Sequence, residues 1–69
     1  MSKFAEKLKE LRLENNLTQK QLSKELGGLI SPSAIQFWET NQRVPNFDAV
    51  IAIAQYFGVS LDYLAGLED

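Results

Sequence analysis

Cysteine is absent from this 69-residue chain, so neither a disulfide staple nor a thiolate metal site is available to it. Histidine is absent as well, which removes the usual general base and the commonest metal ligand. No nucleophile–base set, no phosphate-binding Gly-Lys-Ser/Thr loop and no metal cluster takes their place, so catalysis is not expected and no cofactor is implied. No apolar run approaches the ~20 residues needed to cross a bilayer, and the charged N-terminal stretch lacks a signal-peptide core. A soluble cytoplasmic protein is the expectation. Basic residues are missing from the C-terminal part: residues 44–69 hold four acids and no Lys or Arg, whereas residues 1–43 hold all seven Lys/Arg against five Glu. The net charge of −2 therefore conceals a +2 stretch beside a −4 stretch, and a local positive surface is all that phosphates require.

What is present reads as one domain, residues 1–69, of short helices. A chain of this length buries only about 60–65% of its unfolded surface, so each local signal matters. The first helix is expected from Ser2 to Asn15, with Phe4, Leu8 and Leu11 on one stripe and Asn15-Asn16 at its end. The second starts at Thr18 as N-cap, with Gln21 completing a capping box, and stops at Gly27-Gly28. The third opens with Ser31 as N-cap and Pro32 at the first helical position, where a missing N–H costs nothing. A loop, Asn41 to Pro45, leads to a fourth helix after Asn46, with Phe47, Val50, Ile51, Ala54 and Phe57 on one face up to Gly58. A short fifth runs from the Ser60 cap to Gly66. Three of these starts carry hydrophobic staples: Leu17 with Leu22, Ile30 with Ile35, and Val59 with Leu64. The fold class is all-α, five short helices packed orthogonally around one core.

The third helix is the informative one. Ala34, Ile35 and Trp38 share one side, while Ser33, Gln36, Phe37 and Thr40 line the other at i, i+3, i+4 and i+7. A short helix that displays small, amide and aromatic groups outward fits the DNA major groove, about 12 Å wide.

The motifs L-T-Q-x-x-L from Leu17, A-I-x-x-W-E from Ala34, R-x-P from Arg43 and G-V-S-x-D-Y-L from Gly58 together resemble the Cro/CI-type (XRE) helix-turn-helix domains, lambdoid phage repressors among them. The likeness runs from Phe4 to Leu64, and the order and spacing of the motifs are more specific than any one of them. It implies a lambda-repressor-like domain whose helix-turn-helix spans about 18–40, whose third helix lies in the major groove, and which binds a two-fold operator as a homodimer. Gln19 then matches a glutamine that contacts the DNA backbone or an adjacent base. Ser33, Gln36 and Phe37 match base-facing positions, Asn41 and Arg43 match a phosphate-touching loop, and Arg12 with Glu39 matches a partly buried ion pair. Two departures stand out. The segment between Leu26 and Ile35 is two residues longer than usual, which makes Gly28 and Leu29 the extra residues, and Phe37 occupies a position more often polar or basic.

Individual residues leave alternatives open. Gln36 either bonds an adenine edge, worth ~1–3 kcal/mol of discrimination, or is a solvated amide. Phe37, about 200° round the helix from Ile35, either meets a thymine methyl, packs on the 27–31 turn near Leu29, or anchors a protein partner. Ser33 and Thr40 are read as DNA-facing or solvated. Arg43 is read as a phosphate contact or an ordinary surface arginine, and Lys20 and Lys24 as general attraction or as solvated lysines. Trp38 is expected in the core between helices 3 and 4, and Leu61 and Leu64 are expected to close it. The family resemblance implies that Tyr63, Leu67 and Tyr56 are left for a dimer contact. The expected function is a sequence-specific double-stranded DNA-binding transcriptional regulator, a repressor on a palindromic operator. The rival is a protein-interaction module on the same scaffold, such as an antitoxin or anti-repressor partner.

Overall fold

Four side-chain caps set where helices begin. Thr18 Oγ1 accepts from the Gln21 N–H at 3.0 Å while Gln21 Oε1 accepts from the Thr18 N–H at 2.8 Å, a complete capping box. Ser31 Oγ, Asn46 Oδ1 and Ser60 Oγ accept from the N–H groups of Ala34, Ala49 and Tyr63 at 3.1, 2.8 and 2.9 Å. The computed structural model describes residues 3–67. Among them lie five helices and no strand: α1 Phe4–Glu14, α2 Gln19–Glu25, α3 Pro32–Glu39, α4 Phe47–Phe57 and α5 Leu61–Ala65. The expected start of the first helix at Ser2 lies outside the described residues. Lys3 sits at the N-cap position of α1 and makes no side-chain cap bond.

Helix α1 packs on α3 and α5, α2 packs on α3, and α4 packs on α5. Leu8, Leu22, Ile35, Ile53 and Leu64, drawn from all five helices, are fully buried at the centre. Each such side chain contributes about 1.5–3 kcal/mol of hydrophobic stabilisation. The residues of the three expected staples all join the core: Leu22, Ile30, Ile35 and Leu64 are buried in it, and Leu17 and Val59 pack against it. Trp38 is buried and meets Phe4 of α1 edge-to-face at 6.4 Å, so it ties α3 to α1 as well as lying alongside Ala49 of α4.

Helix α4 corrects the expected stripe. Its buried residues are Ala49, Ile53 and Ala54, and Phe47 is 68% exposed. Taking Ile53 as the inward direction, Ala49 and Phe57 lie about 40° to either side, whereas Phe47 and Ile51 lie about 120° and 160° away. Nearly every residue of α4 is apolar, so periodicity alone did not select a face, and the packing selects the one centred on Ile53. At α5 only Leu64 closes the core; Leu61 remains at the surface.

The longer turn between α2 and α3 is built by two consecutive glycines, both left-handed (φ 82° for Gly27, 77° for Gly28). Their N–H groups cap the end of α2, Gly27 to Lys24 O and Gly28 to Ser23 O, each at 3.0 Å. Ser23, buried, donates its hydroxyl to Ile30 O and closes the turn from beneath. Leu29 is left at the tip, 93% exposed.

Candidate nucleic-acid interface

Helix α3 owes its orientation to a split between apolar and polar sides. Ile35 and Trp38 are buried and Ala34 is half-buried, so Ser33 and Gln36 are turned to solvent. Neither the Gln36 amide nor the Ser33 hydroxyl has a hydrogen-bond partner among the described residues, leaving both free for an external one. The amide carries a donor and an acceptor side by side, as reading an adenine edge demands.

Beneath this face lies an ion-pair junction joining three elements. Arg12 Nε donates to Glu39 Oε2 at 2.7 Å, Nη2 to Glu39 Oε1 at 3.0 Å and Nη1 to Leu17 O at 2.8 Å. The side chains are 11% and 4% exposed, so this pair of α1 and α3 is largely removed from water. The Glu39 hydrogen bond raises the Arg12 pKa above the ordinary arginine value; burial opposes it, and Coulombic attraction to Glu39 adds a smaller push.

Gln19, at the start of α2, is drawn into the same junction. Its Nε2 donates to Glu39 Oε1 at 3.2 Å, and the residue is half-buried. Gln19 is thereby held at the rim with one N–H spent and its carbonyl oxygen and second N–H remaining. The sequence matched its position, whereas this bond to a residue twenty positions away carries no local signal.

Thr40 is committed internally. Its hydroxyl donates towards Gln36 O (2.9 Å) and Phe37 O (3.3 Å), and accepts from Gln42 Nε2 at 2.9 Å. Its single proton is used here to close the last turn of α3. Asn41 reverses the chain in a left-handed conformation (φ 60°), one that Asn tolerates better than most side chains. That reversal brings Arg43 back over α3. Its guanidinium lies 4.8 Å from the centroid of the Phe37 ring, and its backbone N–H donates to Phe37 O at 3.4 Å. Phe37 is thus half-buried beneath an arginine, not packed on Leu29 as one alternative had it. Ser33, Phe37 and Arg43 line one open groove of about 380 Å³ with Val44 and Pro45. The pairing was not anticipated from the sequence; an aromatic and an arginine six positions apart across a helix end are the signal that was available.

Lys20 and Lys24 of α2 are exposed. Tyr63 is half-buried under Lys7 Nζ, 4.7 Å from its ring centroid, and Leu67 is 78% exposed. Tyr56 donates its hydroxyl to Glu25 Oε1 at 3.3 Å, which joins α4 to α2. No described helix is long and apolar enough to cross a membrane.

Comparison with known proteins agrees with this geometry. A family model described as helix-turn-helix matches residues 8–64. The HTH-type transcriptional activator BcrR of Enterococcus faecalis is 39% identical over 66 residues, covering 96% of this chain and 31% of that protein. Two uncharacterized HTH-type transcriptional regulators of Bacillus subtilis are also similar. YobD is 32% identical over 96% of this chain and 57% of its own length, and YqaE is 38% identical over 88% and 51%. The chain thus spans between about a third and somewhat over half of these relatives. No solved structure gives a significant match.

Proposed function

Because the chain belongs to the Cro/CI-type (XRE) helix-turn-helix family, we propose that it is a sequence-specific double-stranded DNA-binding transcriptional regulator. Residues 1–69 act as one DNA-binding domain, with the helix-turn-helix at about 18–40. The observation that carries the reading is the orientation of α3: Ile35 and Trp38 face inward while Ser33 and Gln36 face outward without partners. In this reading α3 enters the major groove, Gln36 bonds an adenine edge, and Ser33 lies against the neighbouring base. Arg43, Asn41, Lys20 and the α2 end at Gln19 set the register on phosphates, which positions the helix without reading sequence. No cofactor takes part and no bond is made or broken. The work is done in the compartment that holds the DNA, the cytoplasm.

The finer proposal is a homodimer on a palindromic operator, with Tyr63 and Leu67 at the contact and half-sites about 34 Å apart. The simplest action is steric: a protein bound across a promoter blocks it, and the chain is then a repressor. Selection of bound oligonucleotides from a random duplex pool tests all of this together. Enrichment of an inverted repeat at that spacing is the expected result. Enrichment of a lone half-site removes the dimer, and no enrichment removes the DNA reading.

A second reading is favoured by Leu29, almost fully exposed at the tip of the longer turn, and by the acidic pI near 5.0. These suit a protein-interaction module of the antitoxin or anti-repressor kind. Substitution of Leu29 that abolishes a regulatory effect while leaving duplex binding intact would support it.

A further inference from the structure

We propose that Phe37 acts on DNA through Arg43: its ring is a platform that holds the guanidinium in position for a phosphate, and it makes no base contact of its own. The inference rests on the DNA-binding reading and adds a positioning residue to it.

Charge makes the case. Between Lys24 and the end of the chain, Arg43 is the single basic residue. Helix α3 carries no Lys or Arg, and the nearby Arg12 has its fork spent on Glu39 and Leu17. Whatever cationic contact is made by the loop that follows α3 must come from Arg43. An arginine in an exposed loop ordinarily samples many rotamers, and ordering it on a phosphate costs that freedom. Here no carboxylate among the described residues pairs with it. The Phe37 ring faces it instead, at 4.8 Å, within the range where the negative face of a ring attracts a cation. A carboxylate would hold the guanidinium equally well but would neutralise it. The ring fixes its place and leaves its charge and N–H donors available.

Platform and thymine contact predict different losses. If Phe37 works through a phosphate-binding Arg43, its loss weakens binding to every duplex alike. If it touches a thymine methyl, the loss falls on one base pair. The experiment measures the affinity of the whole chain for its selected operator, for each single-base variant of it, and for a random duplex, across a salt series. Wild type is compared with Phe37→Leu, which keeps apolar bulk without the ring, Phe37→Tyr, which keeps the ring, Arg43→Ala, and the Phe37→Leu/Arg43→Ala pair. Thermal melts accompany each.

The platform predicts about a 2–5-fold loss for Phe37→Leu on all duplexes, the worth of an exposed cation–π contact. It also predicts near-wild-type binding for Phe37→Tyr, no further loss in the pair beyond Arg43→Ala, and a salt slope shallower by about 0.9 in Arg43→Ala. A loss confined to one base pair, or a pair whose losses add, overturns the platform while leaving the DNA reading standing. In the DNA-free protein, the Arg43 side-chain NMR signals should carry an upfield ring-current shift that Phe37→Leu removes. Absence of that shift in a chain that still binds its operator overturns the platform alone. A wild-type chain that binds no duplex removes both.

Discussion

Arg12 shows how one side chain can hold a binding face together without touching a ligand. Its guanidinium satisfies Glu39 at the end of α3 and Leu17 O at the entry to α2, and Glu39 in turn accepts from Gln19. Replacing Arg12 by Ala strands the Glu39 carboxylate, 4% exposed, without its counter-charge. That costs ~3–5 kcal/mol. In a chain of this size, 1 kcal/mol moves the melting point by about 4–8 °C, so Arg12→Ala should melt more than 10 °C early, with the preferred site unchanged in any fraction still folded. An unaltered melting point with an altered site would refute the structural role. The pH dependence follows in sign: a raised folded pKa means the contribution is present below arginine's ordinary value and is lost only as pH climbs through the raised one. Arg12 therefore contributes no titration near neutrality. Gln36 should behave in the opposite way. It is exposed and unpartnered, so Gln36→Ala should leave stability within about 0.5 kcal/mol. Operator affinity should fall by ~1–3 kcal/mol, roughly 5–150-fold. Equal affinity for wild type and variant in a gel shift would dismiss the amide as a reader.

At the scale of the helices, what the sequence made legible was what is locally encoded. Thr18, Ser31 and Ser60 cap their helices as predicted, because a cap is a bond across three residues, and Asn46, expected only to precede the fourth helix, caps it in the same way. The faces of α1 and α3 were legible for the same reason, each having a clear apolar side. Helix α4 was not, since Phe47 through Ile53 offer apolar residues in nearly every direction and the choice among them is made by the packing. The Gln19–Glu39 bond and the Arg43–Phe37 stack were hidden because they depend on where separate elements meet. Two substitutions test the local account. Ser31→Ala removes the cap that starts the longer-turned α3 and should cost ~1 kcal/mol in urea unfolding. Gly66 has two constraints: it is left-handed (φ 79°), and an added Cβ would lie 2.8 Å from the Lys3 Cβ at the start of α1. Gly28 is left-handed with open space around it. Gly66→Ala should therefore destabilise more than Gly28→Ala, which meets only the backbone penalty of about 1–2 kcal/mol. Equal losses would show that the contact between the two ends of the fold yields freely.

For the whole molecule, an acidic chain must still approach a polyanion, and distance resolves the conflict. The molecule measures 27 × 24 × 21 Å, two to three times the screening length of about 8–10 Å at physiological salt. Charges on the side of the molecule away from a docked duplex are then largely screened from it, while Lys20, Lys24 and Arg43 are exposed and free to displace counterions. Of the described acids in residues 44–69, Asp48, which lines a groove with Ser31 and Ala34 at the start of α3, is the one nearest that side. Three phosphate contacts per copy give a slope of log K against log salt of about −2.7 for one chain and about −5.4 for two, at roughly −0.9 per contact. The slope therefore counts copies. Measured on the selected operator between about 0.1 and 0.3 M salt, a value near −5 supports a homodimer, and a value near −3 supports one chain on one half-site. At about 0.01 M the screening length grows to about 30 Å, longer than the molecule, and the net charge of −2 is felt in full. The plot should then flatten at low salt, as it would not for a uniformly basic binder. A straight line down to that concentration would mean that the acidic part of the chain is electrostatically silent, and that polarity of charge along the sequence plays no part in docking.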